Sequence, residues 1–179
     1  SRRMTTILVT GGAGFIGSAL VRHLLAESDC RVVNVDALTY AADLASLEAL
    51  EPDDRHLFVH ADINDAPTLR ELFARHRPDG VIHLAAESHV DRSIDAPRAF
   101  IDTNVVGTGT LLQEALRHWR TRPPAEAVRF RFVHVSTDEV FGSLEGTARF
   151  DESTAYAPTS PYAASKAAAD HLARAWHLT

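Results

Sequence analysis

Cysteine is all but missing from this chain. Cys30 stands alone among 179 residues, so no internal disulfide can form and a cysteine-based zinc site is excluded. No His-Glu-x-x-His motif occurs among the ten histidines, which read as structural, and no metal is expected. Nothing approaches the ~18 consecutive apolar residues of a membrane-spanning helix. The short apolar run after Arg2-Arg3 is cut by glycines, so it is not expected to be a secretion leader. Cytoplasm is therefore the expected compartment, and Ser1–Arg3 ahead of Met4 read as a cloning remnant. There is no basic run either. The formal net charge of -6 argues against a nucleic acid or other polyanion as partner. Lysine is just as scarce: 17 basic residues are Arg and one is Lys166. Where a lone lysine survives such a drift to arginine, a reason specific to an ammonium is worth seeking.

What is present is globular. Hydrophobic residues at 45% and charged residues at 23% match an ordinary soluble domain. Short apolar runs alternate with helix-periodic stretches. The expected strands are Thr6–Thr10, Arg31–Asp36, His56–His60, Gly80–Leu84 and Phe130–Ser136. The expected helices are Phe15–Ala26, Ala42–Leu50, Ala66–His76, a long one from Pro97 to Arg120, and Pro161–Leu178. That alternation implies the α/β class: a doubly wound parallel sheet, Rossmann-like, covered on both faces. The whole of residues 1–179 reads as one dinucleotide-binding domain. A full fold of this kind has about six strands, and no second lobe follows. The chain is thus expected to be the N-terminal part of a longer two-lobed enzyme, with the C-terminal substrate lobe missing.

The first strand runs into Gly11-Gly12-Ala13-Gly14-Phe15-Ile16-Gly17. Glycines between a strand and a helix let a pyrophosphate rest on free backbone N–H groups. Gly11 suits the tight turn, Gly14 removes a Cβ from the phosphate path, and Gly17 permits close helix packing. Asp36 ends the second strand about 20 residues on, where a carboxylate accepts from ribose hydroxyls. It would repel a 2′-phosphate, and Ala37 beside it offers no arginine, so NAD is expected rather than NADP. Asp62 and Ile63 could bracket an adenine. Ala85 and Ala86 are small residues at a strand's carboxyl end, where such sheets bind ligands.

Tyr162 and Lys166 stand four apart at the start of the last helix, on one face. A tyrosine of pKa near 10 becomes a usable base when positive charge favours its phenolate. Thr137 can hydrogen-bond the substrate oxygen that Tyr162 deprotonates. Asp138 and Glu139 follow it. Alcohol oxidation needs neither carboxylate, whereas removing water from a sugar needs an acid for the departing hydroxyl and a base for a carbon-bound proton.

These segments resemble the extended short-chain dehydrogenase/reductase family over essentially the whole chain. Val9–Gly17, Leu38–Ala41, His83–Ile94, Thr103–Val105, Ser136–Gly142 and Ser160–Lys166 carry the likeness. Within that family Asp138-Glu139 and Glu87–Ile94 are similar to the lyase branch that dehydrates dTDP-glucose. The resemblance implies NAD contacts at Phe15, Ile16, Asp36, Thr39, Asp62, Ile63, Leu84, Ala86, Thr103, Tyr162 and Lys166, and substrate contacts at Ser88 and Thr137. It implies Tyr162 as base at the sugar 4-hydroxyl, Glu139 as base at carbon 5 and Asp138 as acid at the 6-hydroxyl. It also implies a homodimer through the long helix and the Tyr162 helix, with apolar residues exposed on both. Ala37 departs from the lysine usual after the ribose-binding aspartate. The rival readings are a nucleotide-sugar epimerase or decarboxylase of the same fold, which needs no Asp138-Glu139 pair, and a non-catalytic NAD-binding regulator, which needs only the cofactor residues.

Overall fold

In the computed structural model, residues 4–40, 42, 45, 53–144 and 146–179 are described. The expected helix at Ala42–Leu50 lies largely outside them. Five strands form one sheet: β1 (Thr6–Thr10), β2 (Arg31–Asp36), β3 (His56–His60), β4 (Gly80–His83) and β5 (Arg131–His134). Their order is β3-β2-β1-β4-β5, and every pairing is parallel. Chain order reverses between β1 and β4, which opens a crevice at their carboxyl ends.

The central strands are buried on both faces and accordingly read as unbroken apolar runs. Leu8, Val33, Val35 and Val81 face one layer, made by α2 (Ala66–His76) and α5 (Thr108–Arg120), through Leu69, Leu72, Phe73, Leu111 and Ala115. Val9 and Val32 face the other, where α1 (Phe15–Glu27) supplies Val21 and Leu25. Each fully buried side chain of this size stabilises by about 1.5–3 kcal/mol. Local signals set the helix ends. Asp65 caps α2 by accepting from the Thr68 amide, and Arg77 ends it in the left-handed conformation at φ 45°.

Between β4 and α5 lie two short helices, α3 (Val90–Asp95) and α4 (Pro97–Phe100). From α4 the backbone continues in helical conformation to Arg120, but Ile101–Gly107 winds as a π-helix. The expected long helix therefore exists with a wide turn inside it, a feature periodicity does not reveal. A further short helix, α6 (Pro124–Ala127), precedes β5. The last helix, α7 (Pro161–Leu178), starts where Ser160 accepts from the Ala163 amide and Pro161 takes the first helical position. β5 is shorter than expected at both ends, because residues 135–137 leave the sheet toward the 3₁₀ turn Asp138–Phe141. Among the described residues no helix is long and apolar enough to cross a membrane.

Candidate active site

A groove of about 340 Å³ opens at the β1/β4 switch point. Every residue expected at the cofactor lines it: Gly11, Gly14, Phe15, Ile16, Gly17, Asp36, Thr39, Asp62, Ile63, Leu84, Ala85, Ala86, Thr103, Tyr162 and Lys166, and Ser88 does too. Thr137, Asp138 and Glu139 do not line it; they stand just past Val135 and Ser136, which do.

The glycine turn is tightly constrained. Gly11 has φ +75°, and a Cβ there would meet the Ala85 amide nitrogen at 2.6 Å. At Gly17 a Cβ would lie 2.0 Å from the Gly11 carbonyl oxygen. The close approach at Gly17 is thus to the turn itself and not, as expected, to a strand. Gly14 has only the Gly11 oxygen nearby, at 3.3 Å, so a side chain there would project toward the groove.

Asp36 does more than face a ribose. Its Oδ2 accepts from the Ala13 amide at 2.9 Å and its Oδ1 from the Leu38 amide at 2.8 Å. One carboxylate therefore ties the glycine turn to the segment after β2. Leu38 is held at φ 54°, which costs a non-glycine residue about 1–2 kcal/mol. Strain of this kind concentrates at binding sites. Phe15 and Ile16 stay 93% and 63% exposed, an apolar rim on a groove whose other walls are backbone and small residues.

His83 is buried at the end of β4. Its ring joins Thr10 Oγ1 at 2.6 Å and Thr108 Oγ1 at 2.9 Å, and burial pushes its pKa well below the ordinary value. Thr10 Oγ1 also accepts from the Ala85 amide, so its hydroxyl hydrogen is available to Nδ1 and the neutral ring donates to Thr108. This histidine positions the groove floor. His89 precedes α3 at its N-cap position without a side-chain capping bond, and His56 and His60 bond to Asn34 and the Ala37 carbonyl respectively. Among the described residues no group of three or more His, Cys, Asp or Glu could hold a metal ion.

At the reactive end, Lys166 is 5% exposed and donates to the Val135 carbonyl at 2.7 Å. Burial lowers its pKa, with the Asp170 charge acting against that. Tyr162 is 9% exposed, and its pKa is raised, chiefly by burial and also by the Glu139 and Asp138 charges; a hydrogen bond with Thr137 pulls the other way. In the protein alone the surroundings of Tyr162 favour the phenol: the Lys166 ammonium donates to the Val135 carbonyl, and the charges of two carboxylates act on the ring.

Residues 8–179 match the family model described as GDP-mannose 4,6 dehydratase. The chain belongs to that family. Dehydratase relatives are similar along nearly all of it. A dTDP-glucose 4,6-dehydratase of Escherichia coli K12 is 55% identical over 182 residues, covering 97% of this chain and 50% of the relative. One from Neisseria gonorrhoeae is 56% identical over 174 residues, with the same shares of 97% and 50%. The chain thus spans about half the length of these curated relatives. A dTDP-glucose 4,6-dehydratase from Streptomyces venezuelae, solved with NAD bound, superposes with TM-score 0.87 at 48% identity, over 98% of this chain and 52% of that one. A UDP-glucose 4-epimerase of Thermotoga maritima superposes with TM-score 0.82 at 28% identity, over 97% of this chain and 51% of that one.

Three contributors in this dehydratase-family chain escaped the sequence reading. Asn104, turned inward by the π-helix, accepts from the Glu87 amide at 2.8 Å and donates to the Glu87 carbonyl and to Ser165 Oγ, both at 2.9 Å. It joins the loop after β4 to α7. Ser165 completes that link by donating to the Tyr162 carbonyl at 2.7 Å. Asp170, one turn past Lys166, gathers three donors described below. Asp170 alone left a trace, its place at i+4 from Lys166; the other two depend on helix rotation.

Proposed function

We propose that this chain forms the NAD-binding half of a nucleotide-sugar 4,6-dehydratase, a lyase that turns dTDP-glucose into its 4-keto-6-deoxy product. The observation that carries the reading is the placing of the turn Asp138–Phe141, capped by Thr137, directly after Val135 and Ser136, which line the groove together with Tyr162 and Lys166; both carboxylate charges act on the Tyr162 phenol. Oxidation alone would use the tyrosine, the threonine and Lys166. Two carboxylates beside the same phenol fit an elimination, which moves one proton off carbon and another onto a leaving hydroxyl. The thymidine nucleotide is carried over from the Escherichia coli and Neisseria relatives, both dTDP-glucose 4,6-dehydratases.

The residues present fit NAD. Gly14 leaves open space toward the groove, helix α1 begins there, and the Asp36 carboxylate meets the turn from the next strand. Thr39, Asp62, Ile63, Leu84, Ala85, Ala86 and Thr103 line the remaining walls. When bound, NAD would supply an acceptor for hydride from sugar carbon 4 and return it to carbon 6, leaving no net redox change. The chain's own groups handle the protons. Thr137 orients the 4-oxygen while Tyr162 takes its proton. Tyr162 rests as a phenol, and positive charge entering the groove beside Lys166 favours the phenolate. The new 4-ketone acidifies carbon 5. Glu139 removes that proton, and Asp138 protonates the departing 6-hydroxyl. Ser88 faces the sugar side of the groove as a substrate contact.

The epimerase reading rests on the shared fold and the Tyr162-Lys166 pair, and it leaves Asp138 and Glu139 without work. The test is conversion of dTDP-glucose by the full-length protein without added NADH. Loss of the 6-hydroxyl is expected; a product that keeps it would overturn the dehydratase reading. Glu139→Gln should retain slow oxidation at carbon 4 and stop solvent deuterium entering carbon 5. We also infer a homodimer. Ile101 and Val106 on the long helix are about half exposed, and on α7 the large exposed apolar residue is Leu178. Val106→Glu should halve the mass seen by sedimentation of the full-length protein. A cytoplasmic setting suits a chain whose lone cysteine forms no internal disulfide.

A further inference from the structure

Asp170 stands eight residues after Tyr162 and four after Lys166, so α7 carries the three on one face. Its side chain is 11% exposed. One oxygen accepts from His134 Nε2 at 2.9 Å. The other accepts from Ser136 Oγ at 2.6 Å and from the Tyr156 hydroxyl at 2.8 Å. Three donors thus reach one carboxylate from β5, from the segment just beyond it, and from the loop that precedes α7.

Each donor sits beside something the proposed chemistry needs. Between His134 and Ser136 lies Val135, whose carbonyl takes the Lys166 ammonium. Helix α7 therefore grips three consecutive residues, two through Asp170 and one through Lys166. The next residues are Thr137, Asp138 and Glu139. Tyr156 grips the far side of the same turn. Its ring packs on His171 at 5.0 Å and edge-on to Phe141 at 5.4 Å, and the neighbouring Ala157 amide donates to the Val140 carbonyl at 3.0 Å. The turn carrying the two carboxylates is held where it begins and where it ends, and Asp170 is common to both holds.

An apolar contact between α7 and β5 would serve stability better, because burying a carboxylate carries a desolvation cost. The three hydrogen bonds keep this one ionised, with its pKa below the ordinary carboxylate value despite burial. What a charged, three-way acceptor adds over apolar packing is a fixed position for each donor.

We propose that Asp170 is a positioning residue for the elimination step: by gripping Ser136 and Tyr156 it fixes the Asp138-Glu139 turn against the helix that carries Tyr162 and Lys166. This rests on the dehydratase reading. It assigns Asp170 no contact with substrate or cofactor. Misplacing the turn slows proton removal at carbon 5 more than hydride transfer from carbon 4, where Thr137 moves with the turn but Tyr162 and Lys166 stay in place on α7.

The test uses the full-length enzyme with Asp170→Asn and, as a milder change that keeps the carboxylate, Tyr156→Phe. Hydrogen exchange without substrate should quicken in peptides covering residues 134–141 and 154–158 and stay unchanged over β1 and β2. In single turnovers with dTDP-glucose, Asp170→Asn should slow solvent-deuterium entry at carbon 5 by about tenfold to a hundredfold, the cost of a small displacement of reacting groups. The rise of reduced-nicotinamide absorbance and KM should each stay within about twofold of the unmodified enzyme. Tyr156→Phe should move both readouts the same way by a smaller factor. Equal slowing of both steps, or unchanged exchange over residues 134–141, overturns the proposal. An unmodified enzyme that fails to dehydrate dTDP-glucose strikes the functional reading, and the exchange result then decides the grip by itself.

Discussion

Two buried polar clusters sit at opposite ends of the sheet, and they are built on different terms. At the amino end of β4, the Arg122 side chain is 1% exposed and faces opposite charge, though its Nε finds no hydrogen-bond partner. It donates to the Pro78 carbonyl at 2.7 Å and to Asp79 Oδ1 at 2.6 Å, with Glu126 at 3.3 Å. His118 bonds to the same Pro78 carbonyl at 3.0 Å. A cation, two carboxylates and a carbonyl close on one another there. At the carboxyl ends lies the second cluster. Lys166 has one protein acceptor for its three donors, and Tyr162 shares a hydrogen bond with Thr137 while two carboxylates disfavour its ionisation. Burial alone does not separate a structural cluster from a working one, nor does spare hydrogen-bonding capacity, which both ends show; unfavourable charge does.

The sharpest way to break the comparison is to remove one group from each end. Tyr162→Phe should lower kcat for dTDP-glucose dehydration in the full-length protein by about 10²–10⁴, the usual worth of a positioned acid or base. Its urea midpoint should not fall, since the phenol hydroxyl is poorly served in the folded state. Arg122→Met should do the reverse. Stability should drop by about 3 kcal/mol, the low end for breaking a buried ion pair because Asp79 stays partly exposed, while kcat of the folded protein holds. A Tyr162→Phe protein that unfolds, or an Arg122→Met protein that folds well and loses catalysis, would merge the two classes.

The two ends also differ in how far the sequence exposes them. The Tyr162-Lys166 spacing, the glycine turn and Asp36 are local patterns, and every expected cofactor residue lines one groove. The parallel α/β class and most element boundaries were equally legible, because apolar runs and helix-periodic stretches act within a few residues. The Arg122 cluster joins residues 44 apart in sequence and left no pattern. The π-helix at Ile101–Gly107 was hidden too: periodicity reports a helix but not its winding, so the inward turn of Asn104 could not be read. The hydrogen bond of the Lys166 ammonium left no pattern for a related reason: spacing places it near Tyr162, whereas its acceptor is the Val135 carbonyl just past β5.

Acid sharpens the comparison less strongly. Burial lowers the pKa of His83 well below the ordinary histidine value and lowers that of His118 as well, though the Pro78 carbonyl and Asp79 partly offset it there. A depressed histidine binds its proton less readily folded than unfolded. Stability is therefore present above the unfolded pKa of about 6.5 and is lost as pH falls below it. The urea midpoint should decline between pH 7 and pH 5. His83→Gln should flatten that decline by up to about 1.4 kcal/mol per pH unit, the limit for one proton, and His118→Gln by less. Equal flattening would mean that the Arg122 end shields its histidine no better than the reactive end does.

The smallest effect concerns Lys166 and runs against intuition. Burial depresses its pKa, so the stabilising state is the neutral amine. That contribution is present above the unfolded value near 10.5 and lost as pH falls through the folded one, which leaves a buried ammonium as a net cost at pH 7. Lys166→Met should therefore raise stability at pH 7 by about 1 kcal/mol, at the low end of what replacing buried charge by apolar volume returns. Val135 lines the groove, so water can take over the carbonyl the lysine leaves. The gain should fade as pH rises toward 10.5. The same substitution should weaken NAD binding, measured by titration calorimetry on the full-length protein. An arginine from the other cluster gives the opposite sign at pH 7, because its charge is already matched within the fold. If Lys166→Met instead destabilises at pH 7 as Arg122→Met does, then Lys166 is a structural cation, and the distinction between matched and unmatched buried charge fails for this protein.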